Sequence, residues 1–296
     1  MRRFRISIQK PGEEKQVFIE RVQDSARDFR ITFNCSNSYT YCLGLLDLAI
    51  YNLADKTQVP QFAKLTLEAG YDNDLAAIFS GTIMSVLKER EGANTRTRIL
   101  CRSGERPDDR GNEVRPMVNA TLGRNSSTID AINLVASAWG KSVDIQEDQF
   151  SDVPLIAMKS TLSGDVVRIL SDLAEQHNFQ WFNSGEEIII DRTKKKREGV
   201  PRELSISTGL IGIPEMADEN VGVFVNMTSR LLPSLRLGDL IELKSKYASY
   251  STGNMYYIPP VHGGDLNGIY KVMEIVHEGD SWGDQWRTQI KGMRNG

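Results

Sequence analysis

Residues 78–99 read IFSGTIMSVLKEREGANTRTRI, and residues 269–290 read IYKVMEIVHEGDSWGDQWRTQI. Each is a pair of alternating runs joined by a polar, glycine-bearing loop. Each closes on Arg-Thr-x-Ile: Arg96, Thr97 and Ile99 in the first, Arg287, Thr288 and Ile290 in the second. Alternation of apolar and polar residues marks a half-buried strand, and two such runs around a short polar loop mark a hairpin. The chain therefore carries one kind of hairpin twice. A short alternating strand precedes each: AKLTLEAGY at 63–71 and GDLIELKSKY at 238–247. One inserted residue brings Ile83 onto Ile275, so the pattern reads as a divergent structural repeat.

The repeat sets the expected architecture. A short all-β domain hides its edges by closing on itself, so we expect a mainly β protein with two small antiparallel β-barrels flanking an α+β module. The boundaries expected are 1–112 for the first barrel, 113–196 for the module and 197–296 for the second barrel. Phe4, Ile6 and Ile8, then Phe29, Ile31 and Phe33, then Leu65 and Leu67 alternate as strands do. CLGLLDLAIYNL at 42–53 fits a short helix or a packed strand. Residues 104–120, with two prolines, two glycines and many charges, read as a linker or exposed loop.

The middle changes character. SSTIDAINLVASAWG has Ser127 as N-cap, Asp130 three residues on and Gly140 past the end, with Ile129, Ile132, Val135, Ala136 and Trp139 as one apolar stripe. A short strand, SVDI, follows. A second helix is expected to begin near Ser163, with Asp165 in its first turn and Val166, Ile169, Leu170 and Leu173 on one face. FQWF, a turn at Asn183-Ser184-Gly185, and EEIIIDR read as a hairpin.

Composition is that of a folded globular chain, 40% hydrophobic and 25% charged, and a net charge of -3 argues against a binder held to nucleic acid by bulk charge. No apolar run approaches the ~18–20 residues that span a bilayer, so no membrane insertion is expected. MRRFRISIQK lacks the apolar segment of a secretory signal, which points to synthesis in a reducing cytoplasm. Cys35, Cys42 and Cys101 are too few for a disulfide framework and read as half-buried or buried thiols.

Enzymatic signatures are missing. The sequence holds no HExxH, CxxC, GxSxG or Walker-type GxxxxGK[ST]. No catalytic residue, metal or cofactor is expected. His177 falls at a predicted helix end, where a cation suits the negative terminus. His277, Glu278 and Asp280 in VHEGD resemble a metal or acid/base group, or else a solvated hairpin apex or an intersubunit contact. Trp282 and Trp286 fit a sugar-stacking platform, or else the cover of a barrel end or interface. Lys194, Lys195, Lys196 and Arg197 in RTKKKREGVPREL are either a solvated linker or the lining of a channel that touches phosphates without reading sequence.

Three stretches together resemble a family. They are GYDNDLAAIFSGTIMSVLKEREGANTRTRILCRSGE at 70–105, the helix, strand, helix, hairpin order of 127–191, and a run from STGLIGIPE at 207–215 through LLPSLRLGDLIELKS at 231–245 to GIYKVMEIVHEGDSWGDQWRTQIKGM at 268–293. The last is the most specific: Leu-x-Pro-x-Leu-x-x-Gly-Asp, then Tyr-x-Val-x-x-Ile-x-His-x-Gly-Asp ending in Trp-x-Thr. The chain resembles the baseplate hub proteins of contractile-tailed or long-tailed bacteriophages, of the T4 and Mu trimeric type and the late control D group. It has a looser likeness to the start of type VI secretion spike proteins. The resemblance implies a homotrimeric, non-enzymatic virion ring assembled in the host cytoplasm. Three chains with two barrels each would match a six-fold tail tube on one side and a three-fold spike on the other. Its partners would be tail tube or distal tube, spike, tape measure and baseplate wedge proteins, with DNA passing through the lumen. A muralytic or peptidoglycan-binding tail protein and a secretion spike base are the alternatives. Because the sequence stops soon after the second barrel, the spike is expected to be a separate protein.

Overall fold

The computed structural model describes residues 1–10, 16–20, 29–54, 57, 59–72, 74–104, 116–219, 222–250 and 266–295. They form two compact units, one of residues 1–38, 44–103 and 199–295 and one of residues 39–43 and 104–198. The protein is mainly β with a small helical module, as its patterning requires.

The first unit opens with seven strands: β1 (Arg2–Gln9), β2 (Gln16–Glu20), β3 (Ile31–Ser38), β4 (Gly44–Tyr51), β5 (Lys64–Tyr71), β6 (Asp74–Glu91) and β7 (Asn94–Arg102). The ambiguous stretch at 42–53 is thus a strand. It lies between β3 and β7 with Leu46, Leu48 and Ile50 buried, and two flanking ladders decide against a helix.

The second unit holds β8 (Met117–Leu122), α1 (Thr128–Trp139), β9 (Ser142–Asp144), β10 (Ser160–Asp165), α2 (Val166–His177), β11 (Gln180–Asn183) and β12 (Glu187–Asp191). Helix α1 starts and stops where its caps dictate. Ser127 Oγ accepts from the Asp130 N–H, the Asp130 carboxylate accepts from the Ser127 N–H, and Gly140 ends the helix at φ 71°, a conformation open to glycine. Helix α2 begins later than Ser163. Residues 160–165 pair with β8, and Asp165 is the N-cap itself, accepting from the N–H groups of Val167 and Arg168 at 2.8 and 3.0 Å. Met117–Ala120, read as part of a linker, belong to that two-stranded ladder. Strands β11, β12 and β9 form the other sheet, with Trp139 edge-on to Trp181 at 6.1 Å in the core beneath.

The chain returns to the first unit with β13 (Arg202–Ser205), β14 (Leu210–Glu219), β15 (Gly222–Arg230), β16 (Leu240–Lys244), β17 (Ser249–Tyr250), β18 (Gly268–Asp280) and β19 (Trp286–Arg294). Here the duplication becomes geometric. Strands β3-β4-β7-β6-β5-β1 neighbour one another in that order, and so do β14-β15-β19-β18-β16-β13. The two sets also run in the same chain order. One difference lies at the end: β1 is antiparallel to β5, whereas β13 is parallel to β16.

The ladders repeat residue by residue. The β6–β7 register shifts between Ile83 and Ser85, and the β18–β19 register shifts between Val272 and Glu274, so Met84 and Met273 are the bulged residues. A bulge inserts one residue and bends the strand. Beyond it, Val86, Lys88 and Glu89 face Ile99, Thr97 and Arg96; Ile275, His277 and Glu278 face Ile290, Thr288 and Arg287. The register therefore equates Ile275 with Val86, not with Ile83. The shared Arg-Thr-x-Ile falls into place: Thr97, Ile99, Thr288 and Ile290 are buried, while Arg96 pairs with Glu89 at 3.7 Å and Arg287 with Glu278 at 2.8 Å.

The two copies do not close as barrels among the described residues. Among the described residues the sheet runs open from β17 to β2, because β18 pairs not only with β16 but, along Glu274–Asp280, with β3 of the other copy. One fourteen-stranded sheet results. The join is packed as well as hydrogen-bonded: Leu231 and Trp286 of the second copy belong to the core that holds Phe4, Ile6, Leu48, Leu67 and Ile99.

Candidate functional site

The tip of the second hairpin is a clasp between the copies. Asp280 takes Arg30 in a two-pronged pair, at 2.7 and 3.3 Å. Arg2 donates to the carbonyls of Asp280 and Asp284 at 3.2 and 3.0 Å and to that of Gly283. Ser281 closes the corner: its N–H donates to the Ile31 carbonyl at 3.0 Å and its hydroxyl accepts from the Ile31 N–H at 2.9 Å. Burial works to raise the Asp280 carboxyl. The Arg30 hydrogen bond and the N–H groups of Trp282 and Gly283 outweigh it, and the group titrates below the usual range.

Trp286 is buried, with its indole N–H donating to the Gly70 carbonyl at 3.2 Å and its ring edge-on to Phe33 at 5.2 Å. Gly279 makes this possible. A Cβ there would stand 2.3 Å from the Phe33 ring, so the ring needs a residue without a side chain opposite it. The sugar-platform reading fails for this pair, since only Trp282 is exposed, at 63%.

His277 is not at a solvated apex. It lies within β18, 1% exposed, with Cys35 of β3 opposite it and its Nδ1 2.9 Å from Thr288 Oγ1. Thr288 Oγ1 also accepts from the Leu232 N–H at 2.9 Å. Burial lowers the His277 pKa to about 4, and burial pushes the Cys35 thiol up to about 12. Both are neutral at pH 7. Glu278 takes Arg287 at 2.8 Å and Gln289 at 3.1 Å, while Asn34 donates to it at 3.4 Å. His277, Glu278, Asp280 and Trp286 are thus brought together where β18 and β19 meet the other copy, while Trp282 stays exposed with its N–H on Asp280 Oδ1.

The basic run divides. Arg197 is buried and committed to Asp144 at 2.9 Å, with Asp191 at 3.9 Å. It is therefore not available to line a channel. Lys195 pairs with Asp152 at 2.8 Å, which with Arg192 holds that carboxyl below its usual range. Lys194 and Lys196 are exposed. His177 does close α2, but burial and the nearby Arg192 lower its pKa, so the expected helix-end cation is disfavoured. His262 lies outside the described residues.

Among the described residues no group of three or more His, Cys, Asp or Glu side chains is placed to hold a metal ion, and no helix is long and apolar enough to cross a membrane. What the first unit presents is strand edge. The distal half of β6, Ser85–Glu91, pairs with β7 on one side and with no described strand on the other. Sequence reasoning passed over this edge because Val86 and Leu87 look like any other strand residues. The signal was the repeat itself: the matching half of β18 has a partner.

A doubled β-sheet unit with an inserted α+β module defines the fold class, and solved structures share it. The 43 kDa tail protein of prophage MuSo2 from Shewanella oneidensis aligns with a TM-score of 0.57 at 11% identity, covering 99% of this chain and 98% of that one. A tail protein from Neisseria meningitidis MC58 aligns at 0.55 and 10% identity over 99% and 97%. The E. coli c3393 protein, a type VI secretion system component described as similar to the T4 tail proteins gp27 and gp5, aligns at 0.56 and 12% identity over 93% and 76%. No protein-family model matches the chain, and no curated protein sequence does.

Proposed function

We propose that this chain is a structural hub of a phage tail baseplate, a homotrimeric ring that adapts a six-fold tail tube to a three-fold spike and lets DNA through its centre. The observation that carries the reading is the duplication. One chain bears two units with the same strand order and the same bulge, so three chains offer six like units and three unlike pairs. Symmetry matching of this kind needs edges and faces, not a catalytic group. The fold likeness to tail proteins supports the setting. The three-part division at 112/113 and 196/197 gives each β half and the module its own role, and the tube, spike, tape measure and wedge proteins are the partners it calls for. Exposed Lys194 and Lys196 are the members of the basic run offered to a lumen. The engaged carboxylates of Glu278 and Asp280 favour a non-enzymatic role.

Light scattering on the purified chain together with a reconstruction of the assembled tail tests this. A trimer and a ring of six similar lobes are expected. A monomer at high concentration and no such ring in the tail would overturn it. The likeness to the c3393 protein favours one second reading, a secretion spike base of the same build. Genes for tail tube and tape measure beside this one would speak for the phage, and secretion ATPase genes for the alternative.

A further inference from the structure

The outer face of the first copy holds a trough. Residues of β1 point alternately into the core, as Phe4, Ile6 and Ile8 do, and outward, as Arg5, Ser7 and Gln9 do. On the outward side Ser7 faces Phe18 of β2 and Thr66 of β5. Thr66 in turn faces Ser80 of β6, with its Oγ1 3.5 Å from Ser80 Oγ. These short hydroxyl side chains make a low floor that runs across the strands. The rows two residues away stand higher. One is Arg5 between Glu20 and Glu68, paired at 2.9 and 3.5 Å, and the other is Gln9 opposite Lys64. At about 3.4 Å per residue along a strand, these walls stand about 14 Å apart. The space between them is about 310 Å³, within the range of about 300–1,000 Å³ that ligand clefts occupy. Phe18, 56% exposed, stands at one end. The second copy is built otherwise. By strand order β13 and β16 correspond to β1 and β5, and there Lys244 spans Glu203 and Glu242 at 2.8 and 3.1 Å. No described strand of that copy stands where β2 does.

We propose that this trough binds a neutral, hydroxyl-rich oligosaccharide, one site per chain. The lining selects that ligand. Formal charges cancel, with Arg5 and Lys64 set against Glu20 and Glu68, so a phosphate or sulfate chain gains no net attraction. The floor is polar, so an amphipathic helix, which needs an apolar groove, has nothing to bury against. Sugar hydroxyls both donate and accept hydrogen bonds, and so do the groups here. Ser7, Thr66 and the Gln9 amide do both, Arg5 and Lys64 donate, and Glu68 accepts. Phe18 adds an apolar ring on which the C–H face of a pyranose can lie. The ring comes from β2, the strand without a described counterpart, which is why the site occurs once. The Arg5 ion pairs hold one wall in place before a ligand arrives, so little ordering is left to the moment of binding. The inference does not depend on the ring, since a single chain carries every residue of the site.

Calorimetric titration of the full chain with three neutral hexasaccharides, maltohexaose, cellohexaose and chitohexaose, tests this. At least one is expected to bind with a Kd below about 1 mM. Phe18→Ala should weaken that binding by about tenfold or more, and Phe18→Trp, which keeps a ring, should retain it. Thr66→Gln fills the floor without changing charge and should abolish it. Melting temperatures are recorded for each variant, and Thr66→Gln carries the test if Phe18→Ala fails to fold. No binding of any of the three up to about 10 mM would overturn the proposal. So would binding that neither Phe18→Ala nor Thr66→Gln weakens in folded protein, since the sugar would then lie elsewhere. Heparin or duplex DNA bound in place of the sugars, and lost in Thr66→Gln, would overturn the choice of a neutral ligand.

Discussion

The two hairpins share a ladder and differ in what lies outside it. In β18 the residues after the bulge meet β3, and the position facing the shared threonine is His277, buried and neutral. In β6 the same position is Lys88, exposed, in a half-strand whose ladder among the described strands is with β7. The inner face, Val86/Ile275, Ile99/Ile290 and Thr97/Thr288, is constant because each copy must bury it. The outer edge and the loop vary because each copy meets a different neighbour. EGAN in the first is a tight turn, while DSWGDQ in the second reaches Arg2, Phe29, Arg30 and Ile31.

The broadest test concerns the constant face. Ile99→Ala and Ile290→Ala are each expected to cost about 2–5 kcal/mol in chemical denaturation, because each empties a fully packed site. A large cost at one and none at the other would break the equivalence of the copies. The next concerns the position that differs. His277 keeps its ordinary pKa of 6.5 when unfolded and about 4 when folded, so its contribution is fully present above pH 6.5 and is lost as pH falls toward 4. The loss amounts to about 3 kcal/mol. It is read as the difference between the pH–stability curves of the wild type and His277→Gln, and an identical slope below pH 6 would show that the imidazole is not buried neutral.

A third comparison sets Gly279 against its counterpart Arg90. Gly279→Ala drives a methyl into the Phe33 ring and is expected to cost about 1–3 kcal/mol, whereas exposed Arg90→Ala should stay within about 0.5 kcal/mol. Equal melting shifts would contradict the close approach of β18 and β3. The smallest effect is expected for the matched ion pairs. Double-mutant cycles on Arg96/Glu89 and Arg287/Glu278 should each return about 0–1 kcal/mol, since both pairs are partly in water. The shorter Arg287 pair should give the larger value.

Much of this was legible in the chain. The caps of α1, Ser127, Asp130 and Gly140, lie within a few residues of the groups they satisfy, so the sequence names them and their ends. Alternation placed β6, β7, β18 and β19 and their shared Arg-Thr-x-Ile. Local signals failed where two segments compete for one stretch. Residues 160–165 could extend a helix, yet β8, more than thirty residues away, takes them as a strand. The one-residue insertion that matches Ile83 with Ile275 puts the length difference in the wrong place: the bulges at Met84 and Met273 coincide, and the extra residues lie in the second loop, between Glu278 and Arg287 as against Glu89 and Arg96.

The sequence by itself determined that the protein is mainly β, that one hairpin occurs twice, and that a two-helix module lies between, because hydrophobic period and capping are properties of neighbours in the chain. The tertiary structure alone decided that the copies join edge to edge through β3 and β18, rather than closing as separate barrels. It decided too that His277 and Trp286 are buried fastenings, that Arg197 is spent on Asp144, and that Ser85–Glu89 is left at an edge. Strand pairing and desolvation are set by partners some two hundred residues apart, and an alternating strand looks the same in sequence whether or not another strand lies beside it.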